Sequence, residues 1–257
     1  MLFHINAFQL DTDSQKLTIW HELTAKTRLL VVLIILLGIV LTPNASWHTW
    51  SVYGTAVFGL VYLTKVKINI LVRRVVVESV FLGVVLIGTL FRGGGEVLWS
   101  WGWLQISSQG LVILGSVFTK AFLSLIIMNL LTLTTSIPDL LNALLGLRTP
   151  PLLVAIMVSM YRYINVLIRE TQAMQRAAAS RNFRGKDQWQ RLVLGNMIGA
   201  LFIRTYDRGD RIYQAMLARG YQGIPTPEIS PKMTIKDKGA IAIAIILICL
   251  GKSFLLF

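Results

Sequence analysis

The chain has 257 residues, of which 54% are hydrophobic and only 14% charged, where soluble domains average about 25% charged; with a mean hydropathy of +0.64 this excludes an ordinary soluble domain and points to an integral membrane protein. A net charge of +13 raises nucleic acid as a partner, but the distribution excludes it. Between Arg162 and Lys238 lie 14 Lys/Arg against 6 Asp/Glu, a net +8, so most of the positive charge sits in one polar region between apolar segments, as in a cytosolic domain that obeys the positive-inside rule.

Residues 1–28 form a polar lead-in without the charged-then-apolar layout of a cleavable signal, so the first apolar segment is expected to stay in the mature protein. Lys26 and Arg28 are read as anchors of the cytoplasmic helix end, and His21 as a juxtamembrane residue rather than a catalytic one. Residues 29–42 make a first span, long enough for the roughly 20 residues a bilayer needs only if residues 25–28 begin the helix. Pro43-Asn44 marks a turn. Residues 47–64 form a second span, with Trp47, Trp50 and Tyr53 in the outer aromatic belt. Lys65, Lys67, Arg73 and Arg74 return the chain to the cytoplasm, with residues 66–72 along the surface before residues 75–91 cross outward. Residues 92–109 are read as an external Gly- and Trp-rich loop, its glycine run lacking the Gly-Lys-Ser/Thr of a phosphate-binding loop. Residues 110–134 cross back. Intramembrane charges are functional candidates by default. Glu78, about one turn from the cytoplasmic end, and Lys120, near mid-depth, are not expected to pair, and Lys120 reads equally as a snorkelling or partner-facing lysine.

The stretch Thr134-Thr135-Ser136-Ile137-Pro138-Asp139 is a helix start: Ser136 caps, Pro138 suits the first turn, and Asp139 suits the positive helix end. A short helix over residues 138–147 follows, apolar at Leu140, Leu141, Leu144 and Leu145. Pro150-Pro151 opens a long helix to Arg181, embedded over residues 151–161 and then carrying Arg162, Arg169 and Arg176 every seven residues, close to one side. A second long helix covers residues 192–219, with Asp207 and Arg211 spaced as an i,i+4 pair. Ala177, Ala178 and Ala215, with Ala173, Gly199, Ala200 and Ala218, offer small surfaces that let two helices cross tightly as an X. Pro225, Pro227 and Pro231 form a linker to a last span over residues 239–257. Its Gly251-Lys252-Ser253 is no nucleotide loop, because Ile246 stands where the motif needs glycine. The lone Cys249 excludes a disulfide framework.

One pattern occurs twice, 38 residues apart: Ser180-Arg181-Asn182-Phe183-Arg184-Gly185 and Ala218-Arg219-Gly220-Tyr221-Gln222-Gly223. Each ends a long helical segment with an arginine, a residue that tolerates the left-handed conformation, and an aromatic. Each reads as a helix C-terminus displaying one arginine to another protein, against the plainer reading of arginines set near the negative dipole end.

With these motifs the sequence resembles the transmembrane T component of energy-coupling factor (ECF) transporters, an ABC-type importer family whose two coupling helices end in Ala-Arg-Gly. Ala218-Arg219-Gly220 matches fully; Ser180-Arg181-Asn182 keeps the arginine and the following aromatic. The stretches 21–30, 134–138 and Met160-Tyr161-Arg162-Tyr163 also look like the family, and the long lead-in with Leu10-Asp11 looks like its CbiQ branch for cobalt or nickel. The resemblance implies an all-α integral membrane protein of the cell inner membrane, with about five transmembrane helices and a cytoplasmic coupling domain of about three. The divisions expected are residues 1–134 (lead-in and four spans), 135–224 (coupling helices) and 225–257 (linker and last span), with the N-terminus and coupling domain cytoplasmic. It implies a scaffold rather than an enzyme, with no cofactor or metal of its own. Two partner ATPase subunits, carrying ATP and magnesium, would take Ser180, Arg181, Asn182, Ala218, Arg219 and Gly220. Ala177, Ala178 and Ala215 would allow the crossing, and Leu140, Leu141, Leu144 and Leu145 would face a separate substrate-binding membrane subunit. Alternatives are a T component shared by vitamin-specific subunits, a self-sufficient secondary transporter, which predicts broken helices at mid-membrane, and a membrane enzyme, for which His4, His21 and His48 are too scattered.

Overall fold

The computed structural model describes residues 18, 20–44, 46–90, 97–101, 104–181, 188–222 and 233–253. Among these are eight helices, α1 (Ala25–Leu41), α2 (Trp47–Thr64), α3 (Ile68–Leu90), α4 (Ser108–Thr134), α5 (Ile137–Gly146), α6 (Pro151–Ser180), α7 (Gln188–Ala218) and α8 (Ile235–Ser253), with a hairpin of β1 (Val97–Trp101) and β2 (Leu104–Ser107) between α3 and α4. The chain divides into two units, Met1–Ala143 with Ser230–Phe257, and Leu144–Ile229.

In the first unit α1 and α2 each pack on α4 and α8, and α3 packs on α4. Helical periodicity selects the buried side chains: Val31, Ile35 and Ile39 fall on one line of α1, and Leu123, Ile126, Ile127, Leu130 and Leu131 on one face of α4. Large apolar side chains also cover the outside, including Leu37, Phe58, Val80 and Phe81, which a helix tolerates when lipid rather than water covers it. Buried Thr64 and Thr134 are satisfied within their own helices, Thr64 Oγ1 donating to Val61 O (2.9 Å) and Thr134 Oγ1 to Leu130 O (2.7 Å). Among the described residues two helices are long and apolar enough to cross a membrane by length and composition, α4 with mean hydropathy 2.2 and α6 with 1.7.

Two expectations change. Residues 68–72 of the expected surface segment 66–72 are the first turns of a continuous α3, which also carries Arg73 and Arg74. The supposed loop contains an antiparallel hairpin pairing Trp99 with Ile106 and Trp101 with Leu104, with an irregularity between Val97 and Trp99; the alternation of apolar and polar residues across these strands was the overlooked signal. Gly251 has a packing role: a Cβ there would lie 2.8 Å from Tyr53 Oη and 2.9 Å from Cζ, so glycine is what lets α2 and α8 close on each other.

The second unit is built on α6 packed against α7. Pro151 occupies the first helical position of α6, where its missing N–H costs nothing.

Candidate functional site

The second tip ends α7 in a Schellman motif. Gly220, at φ +81°, donates its N–H to Leu217 O (2.9 Å) and Tyr221 donates to Met216 O (3.0 Å), the paired bonds that close a helix through a left-handed residue. Arg219 is thereby the capping residue, exposed between Ala218 and Gly220, both exposed. At the first tip Arg181 caps α6 at φ −90°, ψ 17°, its N–H donating to Ala178 O (3.1 Å), and Ser180 Oγ donates to Arg176 O (3.0 Å). Ser180 and Arg181 are exposed. Asn182, Phe183, Arg184, Gly185 and Gly223 lie outside the described residues, as do Pro225, Pro227 and Pro231.

Between α6 and α7, Glu170 lies 3.6 Å from Arg204 and 3.4 Å from Arg208, one helical turn apart on α7; its side chain is 16% exposed against 62% and 39% for the arginines. Of the residues expected at the crossing, Ala178 is half-buried and Ala177 and Ala215 are exposed. Glu170 was missed although it is the sole carboxylate between Pro151 and Lys186, and a lone acid on a basic helix is itself a signal for a cross-helix pair.

The start of α5 follows its sequence. Ser136 Oγ accepts from Asp139 N (3.3 Å) and donates to Asp139 Oδ2 (2.6 Å), a cap with the acid reaching back. Of the four leucines, Leu141 is buried and Leu140 packs at the edge of the core, while Leu144 and Leu145 are half-buried. The helix ends with Arg148 at φ +64° and Thr149 N donating to Leu144 O (3.3 Å), another Schellman closure with a non-glycine at the left-handed step.

In the first unit the lead-in and the end of α4, two of the stretches singled out in the sequence, meet. Trp20 Nε1 donates to Thr134 Oγ1 (3.0 Å), and Arg28 donates from Nη1 to Thr134 O (2.8 Å), from Nη2 to His21 O (2.6 Å) and from Nε to Leu23 O (3.1 Å). Arg28 is therefore an internal clamp on three backbone carbonyls. His21 Nδ1 shares a hydrogen bond with Thr18 Oγ1. Asp237 was not anticipated: its carboxylate accepts from Thr24 N (3.0 Å) through Oδ1 and from Thr234 N (2.8 Å) through Oδ2. Thr24 caps α1 and Thr234 precedes α8, so one buried carboxylate serves the positive ends of two helices. Burial pushes its pKa up, but the backbone N–H groups of Thr234 and Thr24, with the hydroxyls of Thr27 and Thr24, outweigh this and hold it below the usual 3.8. The Thr234-x-x-Asp237 spacing was the available signal. Glu78 and Lys120 do not pair, as expected: Asn129 Nδ2 donates to Glu78 Oε2 (2.6 Å), and Lys120 donates to Asn44 Oδ1 (3.1 Å) and lies 5.4 Å from the Trp50 ring centre. Among the described residues no group of His, Cys, Asp and Glu is placed to hold a metal ion.

Residues 16–230 match the family model described as CbiQ, cobalt transport protein. The energy-coupling factor transporter transmembrane protein EcfT of Lacticaseibacillus paracasei is 28% identical over 215 residues, covering 79% of this chain and 81% of that protein. EcfT 1 of Listeria monocytogenes is 30% identical over 79% of this chain and 80% of its own length. The putative fused cobalt transport protein CbiMQ of Methanocorpusculum labreanum is 28% identical over 76% of this chain and 34% of that longer protein.

Proposed function

The chain belongs to the CbiQ family of cobalt transport proteins, and from that premise we propose that it is the membrane-embedded T component of an energy-coupling factor transporter, a non-catalytic subunit. In this reading α1, α2, α3, α4 and α8 from Gly239 onward are the spans, and α5 to α7 form the coupling domain at the cytoplasmic surface, with residues 151–161 of α6 embedded in the membrane. Two cassette ATPases each take one arginine tip. Arginine suits the task because its fork binds a carboxylate through two parallel hydrogen bonds and keeps its charge. Closing of the cassettes on ATP draws the tips together, and α6 and α7, crossing at Ala177, Ala178 and Ala215 and held by Glu170, lever a separate substrate-binding membrane subunit that docks on the leucine face of α5. The observation that carries the reading is the exposed Arg219 held at a Schellman helix end within Ala-Arg-Gly, with a second exposed arginine, Arg181, capping α6.

The substrate class we propose is cobalt or nickel, held by the substrate subunit. A second reading, a T component shared by vitamin-specific subunits, is favoured by the EcfT names of the relatives at 28–30% identity.

Pull-down of tagged protein in mild detergent, wild type against the Arg181→Ala/Arg219→Ala double variant, tests this when followed by an ATPase assay. Wild type should bring down cassette subunits with ATPase activity, and the double variant should not. The membrane protein that co-purifies separates metal from vitamin transport. An absence of ATPase with wild type moves a self-sufficient transporter to the front.

A further inference from the structure

Arg73 and Arg74 border a groove of about 490 Å³ on α3 that is lined by Asn69, Ile70, Arg73, Arg74, Val77 and Glu78. The obvious internal partner is committed elsewhere. Glu78 lies one turn beyond Arg74 but accepts from Asn129 of α4 at 2.6 Å, and neither guanidinium makes an ion pair or hydrogen bond with another described residue. Two adjacent arginines without an anion, one exposed and one half-buried, form a site that favours a dispersed negative charge with several acceptor oxygens.

The helix surface beyond the groove narrows the ligand. Asn69, Arg73, Val77, Val80 and Val84 follow one another at intervals of three or four, so they share one side of α3. Along that line polarity changes abruptly: Val77, Val80 and Val84 are 68%, 73% and 71% exposed, with Phe81 beside them at 77%. A free phosphate would leave that valine line unused. A molecule with an anionic head and hydrocarbon chains matches both halves, and basic side chains near a membrane surface attract anionic lipid.

We propose that this groove holds the phosphate head group of an anionic membrane phospholipid, with Arg73 and Arg74 on the phosphate, Asn69 on the polar head and the acyl chains along Val77, Val80, Phe81 and Val84. The proposal rests on α3 lying in the membrane, as in the reading above, and on no property of the arginine tips. Glu78 also lines the groove and is held to Asn129 of α4.

The full chain, purified in detergent and titrated with dioleoylphosphatidylglycerol or dioleoylphosphatidylcholine, is read by native mass spectrometry for retained lipid. Wild type should retain one phosphatidylglycerol in preference to phosphatidylcholine, and Arg73→Gln/Arg74→Gln should lower that retention about tenfold. Arg73→Lys/Arg74→Lys should restore part of it, which also reports on folding. Lys26→Gln/Lys238→Gln, which removes equal charge at the starts of α1 and α8, should leave it unchanged. Equal loss in this control makes the effect general surface charge and overturns the site. Competition by excess inorganic phosphate as effective as by lipid reduces it to an anion site and overturns the acyl half. Loss of co-purified ATPase from the Arg73/Arg74 variant with lipid retention intact overturns the lipid in favour of an acidic protein partner. Unchanged lipid retention with ATPase still bound removes the lipid site and leaves the T-component reading standing.

Discussion

Arg148 and Gly220 occupy the same step of the same helix-ending motif, at φ +64° and +81°, yet only one is a residue for which that step is easy. A side chain in the left-handed region costs about 1–2 kcal/mol. Arg148→Gly should therefore raise stability by about 0.5–1 kcal/mol, and Gly220→Ala should lower it by about 1 kcal/mol, both read as shifts in the thermal midpoint in detergent. A fall with Arg148→Gly shows that the arginine makes a compensating contact. Asp237 makes a pH prediction. Its folded pKa is depressed below 3.8, so its contribution is fully present above that value and is lost as pH falls through the lower folded pKa. Asp237→Asn should cost about 1–3 kcal/mol at neutral pH, and the gap to wild type should close as unfolding is measured at pH values falling below 3.8. A gap that persists in acid removes the charge from the explanation.

Helix limits were legible where punctuation is strong. Pro43-Asn44 precedes α2, whose limits match the reading of residues 47–64, and the cap chemistry at Ser136 marks α5. They were misread where charge was taken as a break. Arg73 and Arg74 did not interrupt α3, because arginine side chains leave the backbone hydrogen bonds of a helix intact. At Gly251 the same sequence carries two meanings that only packing separates. The Tyr53 ring stands where a Cβ would be, 2.8–2.9 Å away, so Gly251→Ala should cost about 1–3 kcal/mol through overpacking of α2 on α8. Gly239→Ala, on the same helix with nothing within 4 Å, should be neutral or stabilising by up to about 1 kcal/mol. Equal effects on the thermal midpoint would show that helix propensity, not the Tyr53 contact, governs both.

For the whole molecule, the arginine tips make the decisive prediction. Arg181 and Arg219 are exposed, so alanine at either should leave folding intact while removing one side of a charged contact, a truncation that costs about 2–5 kcal/mol in a buried interface; a variant that unfolds instead is a helix end and not a coupler. The membrane class, the helix order and the helix ends at Arg181 and Arg219 were determined by the sequence itself, because hydropathy, capping residues and a repeated local motif act within one or two turns. Only the tertiary structure decided that Trp20 meets Thr134, that Asp237 joins the starts of α1 and α8, and that Glu170 of α6 pairs with Arg204 and Arg208 of α7. The first two contacts join residues 114 and 213 positions apart. Their energy depends on which polar groups burial leaves to be satisfied once the helices have packed, and local periodicity does not record that.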